Sequence, residues 1–205
     1  MSLFNELLSV AVTRTSPRIM ARWLDKAHFG NSLELMQKLP VGSVDTIIAK
    51  SPPPEDKPYG EYVEEQRKYL RAMMRVLRED GAIFYDHKWQ VQDGLIQDPG
   101  DILKGFPVRH IVIWHRTVKS RTPSSGPNHE AVYLIAKPDF ELDPRTDSSG
   151  QPWDDLWIDL DSVEFAQRCI ELTTGKIVLD PFMDSDTVRI AAENAGRRWI
   201  GFSSP

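Results

Sequence analysis

Ile177, Val178 and Leu179 form an uninterrupted apolar run within "KIVLDPF", the pattern of a strand whose two faces are both covered. The continuation "LDPFMDSDTV" changes at once to acids, Ser and Thr. These types open helices, so the stretch reads as a strand entering a turn and then the helix "DTVRIAAENAG", closed by Gly196. Upstream, the apolar strand "SVDTIIAK" runs into the Pro-rich break "SPPPEDKPYG". In "EYVEEQRKYLRAMMRVLRED", Tyr62, Tyr69, Leu70, Met73, Met74 and Leu77 then recur at helical spacing up to Gly81. "GAIFYDH" reads as a strand, "DPGDILKGF" as a short helix, and "VRHIVIWHR" and "EAVYLIAK" as an antiparallel pair across the loop 117–129. "SVEFAQRCIELT" is a helix and "RRWIGF" a last strand. Strands alternating with helices predict a doubly wound α/β fold, with a mostly parallel sheet covered on both faces and one antiparallel hairpin.

The 205 residues, 40% of them hydrophobic, suffice for one packed domain. The single cysteine, Cys169, lies on an apolar-periodic stretch and reads as a buried helix residue in a reducing, cytoplasmic setting. No apolar run reaches the length of a membrane span. The net charge of −5 gives no global sign of nucleic-acid binding, yet Arg109, His110, His115, Arg116, Lys119 and Arg121 gather in one short stretch. His115, His129 and Glu130 fit no metal-ligand spacing, so no metal site is expected.

Two long stretches carry a family resemblance. "GNSLELMQKLPVGSVDTIIAKSPPP", followed downstream by "IVLDPFMDSDTVRIAAENAGRRWIGF", resembles the S-adenosylmethionine-dependent DNA amino-methyltransferases, which modify cytosine N4 or adenine N6. The order matches their permuted beta class, with the catalytic motif early and the cofactor motif late. The likeness runs from about residue 29 to 202 and includes "HEAVYLIAKPDF" between the motifs. It implies a Rossmann-like methyltransferase sheet in a single domain spanning 1–205. A catalytic-motif half (29–137), a connection (138–161) and a cofactor-motif half (162–205) divide it.

By that resemblance, Ser51, Pro52, Pro53 and Pro54 stand at the catalytic motif. The side chain of Ser51 and the carbonyl of Pro52 would accept hydrogen bonds from the target amino group. The family carries an aromatic where Pro54 stands, and a base stack of that kind is worth about 1–3 kcal/mol. Tyr59 and Tyr62 read first as packing residues rather than as its substitutes. Asn31, Asp180, Phe182, Asp184, Asp186 and Ser203 fall at the cofactor positions. Asp184 and Asp186 replace glycines of the turn, where a carboxylate adds bulk and negative charge beside the cofactor's own carboxylate, and where a positive φ would add strain. Ser203 replaces an acid that holds the ribose, and Asn31 replaces another near the adenosine. Asp180 reads equally as a turn residue. Arg116, Lys119 and Arg121 fall where relatives meet DNA and could contact phosphates. The departures predict a degenerate homologue, a pseudoenzyme of phage or mobile-element type with weak or lost S-adenosylmethionine binding. Such a chain would act through DNA, a protein partner or a second copy of itself. The alternative is an active enzyme with an altered site.

Overall fold

The computed structural model describes residues 17–54, 57–87, 89–92, 95–97, 99–116, 128–141 and 154–204. In chain order the elements are α1 (Pro17–Ala21), β1 (Lys26–Phe29), α2 (Ser32–Lys38), β2 (Val44–Lys50), α3 (Tyr59–Val76) and β3 (Leu77–His87). Next come β4 (Gln90–Gln92), β5 (Leu95–Gln97), α4 (Gly100–Leu103), β6 (Val108–His115), β7 (His129–Ala136) and β8 (Leu156–Ile158). The chain then forms α5 (Ser162–Glu171), β9 (Ile177–Asp180), α6 (Thr187–Asn194) and β10 (Arg198–Ser203).

Eight strands form one sheet in the order β1-β10-β9-β2-β3-β7-β6-β8, and β4 and β5 form a separate antiparallel pair. The first five run parallel; β7 is antiparallel to β3 and to β6, as the hairpin expectation required. The apolar strands read as continuous because alternate residues feed two different cores. Ile47, Ala49, Ile83, Tyr85 and Leu179 face the core that also holds Met36, Tyr62, Leu70 and Met73 from α2 and α3. Ile48, Ala82, Phe84 and Val178 face Phe165, Cys169, Ile170, Val188 and Ala191 from α5 and α6. Cys169 is fully buried, and burial pushes its thiol well above the ordinary range, so it is an inert packing residue.

Two expectations need correction. The helix predicted to run to Gly81 ends at Val76, because Leu77 pairs with Val44 and starts β3; a register shift before the Ala82–Thr46 pair takes up Arg78–Gly81. Tertiary pairing overrides the helical pattern there. The outer strands β1 and β8 were not anticipated, since β1 is mostly exposed and β8 is three residues long, leaving little apolar signal. Among the described residues no helix is long and apolar enough to cross a membrane.

β2 and β9 meet over only two residue pairs, Thr46 with Val178 and Ile47 with Leu179. At the amino end Asp45 secures them: its Oδ2 accepts hydrogen bonds from Lys176 N (2.9 Å) and Ile177 N (2.8 Å), and its Oδ1 lies 3.2 Å from Arg78 Nε. Gly175 leaves room for this carboxylate, for a Cβ there would stand 1.9 Å from Asp45 Cβ. Gly175→Ala is therefore expected to destabilise the fold by about 1–3 kcal/mol. Urea unfolding checks this, with a lower midpoint at unchanged slope.

Candidate active site

Because β1, β10, β9, β2 and β3 run parallel, their carboxyl ends lie along one edge of the sheet, and the sequence-predicted residues of both motifs emerge there. Short contacts join these ends. Gly30 N donates to Ser203 O (3.0 Å), Met183 N to Phe202 O (2.8 Å), Ser32 Oγ to Pro181 O (2.5 Å) and Ser51 N to Asp86 O (2.8 Å). The Phe182 ring meets Tyr69 of α3 edge-on at 4.8 Å. Lys50 Nζ, at the end of β2, stands 4.0 Å from Asp184 of the turn after β9.

On the catalytic-motif side, Ser51 is half-buried over a polar cluster that the sequence reading missed. Its Oγ lies 2.9 Å from Tyr62 Oη and 3.1 Å from Gln66 Oε1. Tyr62 Oη also reaches Pro52 O (3.1 Å) and His87 Nε2 (3.0 Å), while Tyr85 Oη donates to Gln66 Oε1 (2.9 Å). Tyr62 is 1% exposed, so it cannot offer a face to a base; its hydroxyl supports Ser51 and Pro52 instead of merely packing. The available signal was Gln66, a polar residue on the same buried stripe of α3 as Tyr62, Leu70 and Met73. Tyr85 and His87 alternate on β3 and therefore share a face. Burial lowers His87 to about 4, so its ring is neutral at physiological pH.

On the cofactor-motif side, Asp180 ends β9 almost fully buried, and its Oδ1 accepts a hydrogen bond from Phe182 N (3.0 Å). It is thus a turn residue. Burial, opposed by that bond and reinforced by Asp184, pushes its carboxyl up to about 7. Neither Asp184 nor Asp186 has a positive φ, so the strain expected at the replaced glycines is absent. The helix α6 opens after Asp186 as expected, but Asp186 makes no side-chain cap; its Oδ1 accepts from Arg189 Nε (2.9 Å) on the helix surface. Asn31 caps α2 by accepting from Leu33 N (2.9 Å) and Glu34 N (3.2 Å), and Ser203 ends β10 half-buried.

Arg116 leaves β6 with its guanidinium paired to the buried Glu130 and lying 4.7 Å over the Trp114 ring, so its charge is partly engaged within the fold. Lys119 and Arg121 lie outside the described residues. His115 Nε2 is 2.9 Å from Asn128 Nδ2, and among the described residues no group of three or more His, Cys, Asp or Glu side chains could hold a metal ion.

The geometry agrees with likenesses to known proteins. A DNA methylase family, N6_N4_Mtase, matches residues 161–204. The type II methyltransferase M.BamHI of Bacillus amyloliquefaciens is 26% identical over 232 residues, covering 87% of this chain and 54% of that protein. The chain thus spans about half the length of that relative. Among solved structures, the PvuII DNA methyltransferase (cytosine-N4-specific) superposes with a TM-score of 0.72 at 18% identity, over 88% of this chain and 82% of that one. A DNA modification methylase of Thermus thermophilus, solved in complex with S-adenosyl-L-methionine, gives a TM-score of 0.67 at 23% identity, over 87% and 89% of the two chains. These superpositions establish the fold.

Proposed function

The chain belongs to the S-adenosylmethionine-dependent DNA amino-methyltransferase family, and from that premise we propose that it methylates an exocyclic amino nitrogen of a DNA base. One observation carries the reading. The acceptor pair Ser51 Oγ and Pro52 O is organised by a buried hydrogen-bond network on the sheet edge that also holds the buried acid Asp180.

The exocyclic nitrogen of a base is a poor nucleophile, because its lone pair is delocalised into the ring. Two acceptors that take its N–H bonds draw the nitrogen toward tetrahedral geometry and localise that lone pair on it, a stabilisation that grows as charge develops. Ser51 and Pro52 are suited to this task. When bound, S-adenosylmethionine supplies an electrophilic methyl group on a sulfonium centre. The residues present fit this cofactor. Asp180, poised to ionise near neutral pH, suits a cationic group, and Phe182 and Ser203 border the same edge.

Of the two acids in the turn, Asp184 carries the electrostatic cost. Its charge acts on Asp180, whereas Asp186 is engaged by Arg189 on the outer face of α6. Calorimetric titration should therefore show S-adenosylmethionine binding tightened about threefold to tenfold by Asp184→Gly and little changed by Asp186→Gly. The same titration on the unmodified protein, followed by transfer of labelled methyl to duplex DNA, tests the proposal; neither binding nor transfer would remove it. The Asp184–Asp180 repulsion favours the second reading in that event, a homologue that no longer holds the cofactor and acts by interaction alone.

A further inference from the structure

The polar groups beneath Ser51 have few protons among them, and counting those protons gives the chain a direction. Each hydroxyl can donate once, and an amide oxygen can only accept. The four shortest side-chain contacts are Ser51 Oγ to Gln66 Oε1 (3.1 Å), Tyr85 Oη to Gln66 Oε1 (2.9 Å), Tyr62 Oη to Ser51 Oγ (2.9 Å) and His87 Nε2 to Tyr62 Oη (3.0 Å). All four become hydrogen bonds when His87 donates to Tyr62, Tyr62 to Ser51, and Ser51 and Tyr85 both to Gln66. With Gln66 Oε1 at the end, reversing the Ser51 link sets lone pair against lone pair.

Two further atoms agree with this direction. His87 Nδ1 and Gln66 Nε2 are buried without a hydrogen-bond partner. A neutral His87 has one N–H, and placing it on Nε2 leaves a bare acceptor at Nδ1, whereas the reversed chain would bury an unmatched N–H there. The Gln66 nitrogen is left aside because its oxygen terminates two donors.

We propose that Gln66 is a positioning residue that fixes the polarity of Ser51, drawing the hydroxyl proton inward so that a lone pair faces the amino group of the incoming base. The proposal rests on the methyl-transfer reading, in which the amino group is the donor and a serine proton turned outward would oppose it. Tyr62 reinforces the arrangement by donating to Ser51 from the other side.

In the full chain, Gln66→Met removes the acceptor and Gln66→Glu keeps one. Single-turnover methyl transfer to duplex DNA should fall about tenfold or more in Gln66→Met and stay within about threefold in Gln66→Glu, with the calorimetric Kd for S-adenosylmethionine unchanged in both. Equal losses in the two folded variants overturn the proposal. A measurement that needs no turnover separates its failure from failure of the methyl-transfer reading. In NMR spectra of the unmodified protein, His87 should carry its proton on Nε2, and the Gln66 Hε2 protons should give no cross-peak to the Tyr85 hydroxyl. That pattern supports the proposal even in a protein that fails to methylate DNA. An Nδ1-protonated His87, or a strong Gln66 Hε2 to Tyr85 cross-peak, reverses the chain and overturns it.

Discussion

Ser51→Ala is expected to lower single-turnover methyl transfer by about 10²–10³-fold, the range seen when one preorganised hydrogen-bonding group is removed from a developing charge. Binding of S-adenosylmethionine should be unaffected, since Ser51 lies after β2 while the cofactor candidates follow β1, β9 and β10. The variant also strips partners from Tyr62 and Gln66, so a modest loss of stability accompanies it. Parallel measurement of the calorimetric Kd and the transfer rate checks the split. A rate within threefold of the parent would remove Ser51 from the reaction.

Asp180→Asn should have opposite effects on stability and on ligand binding. The carboxyl is raised from 3.8 in the unfolded chain to about 7 in the fold, chiefly by burial. Between those values the folded protein holds a proton that the unfolded chain has released. Stability is therefore greatest below about pH 4 and declines as pH rises through about 7, as far as this group decides it. At pH 8 the parent carries a buried charge that Asn lacks, and the variant should be more stable by on the order of 1–3 kcal/mol, shrinking toward zero at low pH. Binding of the cationic cofactor should change the other way. In the parent it should strengthen as pH rises through 7; in the variant it should be weak and flat with pH. Urea unfolding and titration calorimetry at pH 5.5 and 8 read both effects. Equal stability of the two proteins at both pH values would contradict the buried charge.

The central strands were legible because alternate residues such as Ile47 and Ile48 serve different cores, which leaves a continuous apolar signature. The boundary between α3 and β3 was not, because good helix formers continue past Val76 and only pairing of Leu77 with Val44 ends the helix. Ser51 could be located from its Pro-rich break. Its supporting groups could not, for Tyr62, Gln66, Tyr85 and His87 are scattered in sequence and converge only when α3 packs onto the parallel β2–β3 pair. The turn after β9 was located correctly, but its details depend on a partner three residues further on: Arg189 claims the Asp186 side chain that composition alone assigns to a cap.

The brief contact between β2 and β9 has a bearing on the order of the motifs. The sheet is joined there along a seam of two residue pairs, closed at one end by Asp45 and parting toward the other, where Ser51 and Asp180 stand on opposite banks. No covalent connection crosses the seam directly, since the chain leaves β2 for β3 and reaches β9 only after α5. Each bank folds from its own stretch of sequence, and the crevice between them is indifferent to which stretch is synthesised first. A gene could be cut and rejoined to exchange the two stretches while the crevice kept its walls, and the early catalytic motif is then a matter of where the ends of the chain fall.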